Sequence, residues 1–152
     1  MSKIEKPAVL LVDDNDGTCT LVRALLQREF FVDVASDGAI ALEKLQHSQY
    51  AAILLDLRMP VLDGFGVLEA IESDELAPQP VVLVITGGDR AAVERLGAHR
   101  VHGVVRKPFD AEDLANVVVA CAEIRERSNF ETMAIATMLA GGPFLALLNR
   151  LP

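Results

Sequence analysis

The feature that most narrows the possible folds is a pattern repeated five times: a short strand-like run, then a segment with helical spacing. The runs are residues 8–12, 32–35, 51–55, 81–85 and 103–106. The helical segments are residues 18–30, 37–46, 64–72 and 89–96, and a long stretch that begins after Asp110. A run apolar at successive positions needs cover on both faces, as a strand has in a parallel sheet flanked by helices. Strict alternation of strands and helices points to a doubly wound α/β fold with right-handed crossovers. The expected core faces are Leu21, Val22, Leu25 and Leu26 in the first helix; Ala39, Leu42 and Leu45 in the second; and Phe65, Leu68 and Ile71 in the third. In the last helix they are Leu114, Val117, Val118, Cys121 and Ile124. Asp110 suits its N-cap, with Asp113 in the first turn complementing the dipole.

Charge argues against one large class of partner. The chain carries 14 basic and 22 acidic residues, a net charge of −8. Without a basic stripe it lacks the lysines and arginines that neutralise a nucleic-acid backbone. Cys19 and Cys121 lie far apart in apolar helical stretches, which predicts two buried, reduced thiols. Residues 1–7 are polar and lack a signal peptide's apolar core, so a cytoplasmic location is expected.

The polar residues at the ends of the apolar runs carry the chemistry. Asp13 and Asp14 follow the first run, Asp56 the third, Thr86 the fourth and Lys107 the fifth. Ligands of open parallel sheets bind beyond the carboxyl ends of the strands, so three carboxylates, a hydroxyl and an ammonium converge there. Crowded carboxylates resist ionisation, and a divalent cation relieves that repulsion. Hard oxygen ligands beside a phosphate suit Mg²⁺. A carboxylate next to such a centre is a candidate nucleophile toward phosphorus. Each piece alone is ordinary, since an Asp-Asp pair after a strand often makes a turn or a cap. The five in order, each at a strand's end, are what capping does not explain.

With these residues in place, the chain resembles the receiver domain of two-component response regulators over about residues 7–127. The likeness rests on Val9-Leu-Leu-Val-Asp-Asp-Asn15, Leu54-Leu-Asp-Leu-Arg-Met-Pro60 with Asp63-Gly64, Val84-Ile-Thr-Gly87 and Arg106-Lys-Pro-Phe109. It implies a five-stranded parallel sheet of flavodoxin-like order 2-1-3-4-5, with helices on both faces. It further implies Asp56 as the phospho-acceptor, with Mg²⁺ held by Asp13, Asp14, Asp56 and the backbone carbonyl of Arg58. Thr86 and Lys107 would contact phosphoryl oxygens, and the Lys107-Pro108 bond would be cis. The implied donor is a sensor histidine kinase or a phosphotransfer protein, with an output partner that the resemblance does not name.

Three features depart from the family pattern. Val104 stands where the family has Tyr or Phe, and a small β-branched side chain cannot make a large inward swing. The segment 97–103 is unusual, and the fourth helix is expected to be short or irregular. Arg58 lies beside the path of attacking water, where it would pair with the phosphoryl group or Asp63, or else simply be solvated. His99 and His102 lack a third ligand and are not expected to bind metal; His47 reads as a helix-end residue.

Residues 128–152 lie beyond the resemblance. Ser128 and Glu131 fit a capping box, so a new helix is expected near Asn129, carrying Met133, Ile135, Met138 and Leu139. Gly141-Gly142-Pro143 should stop it, before a second apolar stretch at 144–148. This extension would pack on the receiver, form a homodimer or partner contact, or lead into a longer chain; its run is short and broken for a membrane span. Two other functions compete with the switch. A Mg²⁺-dependent phosphohydrolase with an Asp nucleophile usually has a carboxylate two residues on, where this chain has Arg58. A pseudo-receiver, a binding module with dead chemistry, is disfavoured by the complete set of site residues.

Overall fold

The computed structural model describes residues 5–73, 79–88 and 90–139, with side chains described up to residue 127. The elements run β1 (Ala8–Val12), α1 (Asp16–Leu26), β2 (Phe31–Ala35), α2 (Gly38–His47), β3 (Ala52–Leu55), α3 (Gly64–Ser73), β4 (Val81–Thr86), α4 (Arg90–Arg95), β5 (Gly103–Arg106) and α5 (Ala111–Leu139). A 3₁₀ turn, Leu96–Ala98, follows α4. All strand pairs are parallel, in the order β2-β1-β3-β4-β5. The doubly wound sheet and its 2-1-3-4-5 order are as the sequence and its resemblance imply.

The runs of β1, β3 and β4 are unbroken because each of these strands feeds two cores. Val9, Leu11, Ala52, Leu54, Leu83 and Ile85 face α1 and α5. Leu10, Val12, Ile53, Leu55, Val82 and Val84 face α2, α3 and the 3₁₀ turn at Leu96. Alternation within these three strands thus places buried side chains on both faces.

Local caps set where the helices start. Asn15 accepts from Thr18 N at 2.8 Å, so α1 begins earlier than expected, at Asp16. Asp37 accepts from Ile40 N at 2.9 Å, and Asp110 accepts from Glu112 N and Asp113 N at 2.9 and 3.1 Å. These contacts satisfy amides that the first turn leaves free.

The helical faces need four corrections. Leu21, Val117 and Ile124 are exposed by 48%, 38% and 60%, and Ala39 is exposed. Ala41 and Ala122 are buried instead. The 3.6-residue period locates a stripe, but rotation of the helix on the sheet decides its edges. Cys121 is buried as expected, whereas Cys19 is only partly buried; both are free thiols. A fifth correction concerns the tail. No new helix starts near Asn129, because α5 continues through that point to Leu139. No Gly or Pro interrupts that stretch. The expected stop at 141–143 and the apolar stretch 144–148 lie outside the described residues, as do the side chains of the expected Ser128–Glu131 box.

The short fourth helix is as expected, six residues and then the 3₁₀ turn. Its connection to β5 is clamped onto α3. Glu72 accepts from Arg100 N and meets His99 Nδ1 at 3.0 Å, while the Arg95 guanidinium lies 3.8 Å from the centre of the Phe65 ring. His102 Nδ1 accepts from Val82 N at 3.0 Å, and its own amide donates to Val82 O at 2.9 Å. These contacts engage Nδ1 of both histidines. His47 Nδ1 contacts Glu43 O at the end of α2.

Candidate functional site

The ladders that build the sheet also deliver the site. Asp13 N donates to Ala35 O at 3.1 Å, Asp56 N to Val12 O at 2.9 Å, and Lys107 N to Thr86 O at 2.9 Å. Each residue follows its strand by one position, yet its backbone remains tied to the neighbouring strand. The side chains therefore project from rigid supports at the carboxyl edge of the sheet.

Asp13, Asp14, Asp56 and Lys107 come together there. Carboxylate oxygens of the three aspartates all lie within 4.8 Å of one another. Lys107 Nζ donates to Asp13 Oδ2 at 2.7 Å and lies 3.6 Å from Asp56 Oδ2. Asp13 and Asp56 are 2% and 8% exposed, whereas Asp14 faces solvent. The other oxygen of Asp13 accepts from Asn15 N at 2.9 Å. Burial raises the pKa of Asp56; Lys107 opposes that rise and Asp13 adds to it. For Lys107 burial acts downward, but the hydrogen bond and charge of Asp13, joined by Asp56, outweigh it and leave the pKa raised. The ammonium thus stays charged at neutral pH and offsets one of the three carboxylates.

The donor set fits a divalent cation. Three carboxylates against one ammonium leave about two negative charges uncompensated, and all the donors are hard oxygens. Asp13, Asp14 and Asp56, whose carboxylate oxygens all lie within 4.8 Å of one another, are the residues that would hold such an ion.

Thr86 ends β4 beside Lys107, whose amide it accepts from. Thr86 is 1% exposed, and its Oγ1 accepts from Gly88 N at 2.9 Å. The Lys107-Pro108 bond is cis. Arg58 is exposed, and its amide lies 3.5 Å from Asp56 Oδ1, at the outer limit of a hydrogen bond. Val104 lies on β5 and is 41% exposed.

Three supports were not legible beforehand. The Cys19 thiol donates to Asp13 O at 3.4 Å, and the Asn15 amide fixes Asp13. Gly64 packs against the acceptor's own backbone, where a Cβ would stand 2.4 Å from Asp56 O. Only the last had a signal in the sequence, the Asp63-Gly64 pair opening a helix. Asp63 Oδ1 accepts from Gly66 N at 2.9 Å, capping α3.

Comparison with known proteins agrees with this geometry. Residues 9–119 match the response regulator receiver domain. The response regulator receiver protein CpdR of Brucella abortus is 34% identical over 114 residues, covering 74% of this chain and 93% of that protein. Hybrid signal transduction histidine kinase D of Dictyostelium discoideum is 31% identical over 126 residues, which are 82% of this chain but 8% of the kinase. The receiver domain of sensor histidine kinase PA1611 from Pseudomonas aeruginosa, solved with a magnesium ion in its active site cleft, superposes with a TM-score of 0.72. It is 26% identical, over 78% of this chain and 98% of that one. Receiver domains of this kind bind Mg²⁺ at an acidic pocket and work with histidine kinases or phosphotransfer proteins. Among the described residues no helix is long and apolar enough to cross a membrane. Sheet order, the acidic cluster with its lysine and these likenesses converge, and the chain belongs to the response regulator receiver domain family of two-component signalling.

Proposed function

We propose that this chain is a phosphorylation-dependent switch in which Asp56 accepts a phosphoryl group and the domain signals its presence through protein contact. The observation that carries the reading is Lys107 Nζ lying within reach of both Asp13 and Asp56. One carboxylate oxygen of Asp56 attacks phosphorus as the P–N bond to a donor phosphohistidine breaks, and the imidazole leaves with the bonding pair. Asp13, Asp14, Asp56 and the Arg58 carbonyl would hold Mg²⁺, which supplies charge neutralisation for the transferring group. Lys107 exchanges its contact with Asp56 for a phosphoryl oxygen, and Thr86 turns its hydroxyl from Gly88 N toward another. The new group adds about −1.5 to −2 charges, so residues 87–96 settle differently and a partner preferring that state is recruited. With Val104 on β5, the shift passes through Thr86 and its loop without an aromatic swing.

The receiver spans residues 1–127 in this reading. Residues 128–152 form an apolar extension led by the continuation of α5, offered to a second copy or to an output protein. The site catalyses only its own phosphorylation and dephosphorylation. Arg58, where a phosphohydrolase would carry its acid, disfavours turnover of phosphate esters. A cytoplasmic location follows from the kinase or phosphotransfer partner.

Intact-mass analysis after incubation with phosphoramidate tests the acceptor. One phosphoryl group should add in Mg²⁺, and none should add in EDTA or to Asp56→Asn. Incorporation that persists in Asp56→Asn would move the acceptor elsewhere, and no incorporation in Mg²⁺ would leave a pseudo-receiver.

A further inference from the structure

Two glycines follow the strand that delivers Thr86, and they are not equivalent. A Cβ added at Gly87 would meet nothing nearer than Lys107 Cβ at 3.8 Å, an ordinary contact. A Cβ added at Gly88 would stand 2.9 Å from Thr86 Oγ1 and 3.3 Å from Ala92 Cβ. The backbone of Gly88 lies outside the left-handed region. The demand for glycine here is therefore one of room beside a hydroxyl, not of backbone freedom.

That hydroxyl is the one the phosphorylation reading requires to move. Thr86 is 1% exposed, and its carbonyl accepts from Lys107 N at 2.9 Å, which fixes its backbone at the end of β4. Rotation about χ1 remains, and in a β-branched residue it runs between discrete wells. Oγ1 is thus either on the loop or off it. In this structure it is on, accepting from the partly buried Gly88 N at 2.9 Å. Turning it toward a phosphoryl oxygen breaks that bond. A bond of this kind shifts a two-state balance about two- to tenfold.

We propose that Gly88 is a positioning residue that latches the Thr86 hydroxyl in its resting rotamer, and that the missing side chain at 88 is what lets the latch close. This deepens the switch proposed above and rests on it. A methyl group at 88 takes the space beside Oγ1, so Gly88→Ala opens the latch and favours the phosphorylated arrangement before any phosphoryl group is present.

NMR of the full chain reads the latch, because three-bond couplings to Thr86 Cγ2 report χ1. Without ligand, Gly88→Ala should move Thr86 out of the wild-type rotamer, whereas Gly87→Ala should leave it there. Beryllofluoride in Mg²⁺ serves as the phosphoryl analogue. In wild type it should release the Gly88 amide, seen as faster hydrogen exchange. Gly88→Ala should bind it about two- to tenfold more tightly than wild type. In a Thr86→Ala background the same substitution should change affinity less than about twofold, since no hydroxyl is left to release. An unmoved Thr86 in Gly88→Ala, a Gly88 amide that stays protected in the wild-type complex, or an equal gain in the Thr86→Ala background would overturn the latch. Wild type that fails to bind beryllofluoride would overturn the acceptor reading and the latch with it; binding that Gly88→Ala does not tighten overturns the latch alone.

Discussion

Replacing Lys107 by Met tests the electrostatics of the acidic site directly. The ammonium lies 2.7 Å from Asp13 and 3.6 Å from Asp56, which are 2% and 8% exposed. At an effective dielectric of about 20, each contact is worth about 5 kcal/mol in gross Coulomb energy. Much of that is offset, because unfolding returns the ammonium and the carboxylates to water. Stripping one partner from a buried pair costs about 3–5 kcal/mol. The lysine side chain is 24% exposed, so screening reduces the expected loss to about 2–3 kcal/mol. The pKa of Lys107 lies above the ordinary 10.5, so its contribution is fully present at pH 7 and is lost only as pH rises through that raised value. Urea unfolding at pH 7 in EDTA should show the loss. Mg²⁺ should reverse it, since a ligand at about 100 times its Kd adds about 2.7 kcal/mol. Without a competing ammonium the variant binds Mg²⁺ more tightly, so Mg²⁺ should stabilise it more than it stabilises wild type. A variant as stable as wild type in EDTA, or one that gains no more from Mg²⁺, would refute the reasoning.

Three further substitutions address neighbouring claims. Asp56→Asn should raise apo stability at pH 7 by about 1 kcal/mol in urea melts. The raised pKa of Asp56 means its contribution is fully present below 3.8 and is lost as pH rises through the raised value; the variant's advantage should therefore vanish on acidification, and an advantage that grows in acid would contradict the burial argument. Gly64→Ala places a Cβ 2.4 Å from Asp56 O; backbone cannot yield cheaply, so thermal unfolding should show about 3 kcal/mol of destabilisation, and a neutral result would mean the α3 start can shift freely. Arg58→Ala should speed loss of the phosphoryl group about two- to fivefold as its shielding is removed; equal decay rates, followed by intact mass, would show that Arg58 does not shield the acyl phosphate.

Chain order and residue type sufficed for the sheet and for which polar residues gather at its carboxyl edge. A strand buried on both faces must be apolar at successive positions, so β1, β3 and β4 were visible as runs. The residue that follows each strand in a parallel sheet must emerge at the same edge, which is why Asp13, Asp56, Thr86 and Lys107 were assigned to one place before any coordinates. Caps at Asp37 and Asp110 were equally local. What tertiary structure decided were contacts between residues far apart in sequence and the rotation of helices. Lys107 and Asp13 are 94 residues apart; their 2.7 Å bond depends on where five strands set their ends, which no local pattern encodes. Leu21, Val117 and Ile124 carried the right spacing and still turned outward, because packing on the sheet selects among faces that periodicity treats alike. The clamp of Glu72 on Arg100 and His99 likewise exists only once separate elements have docked.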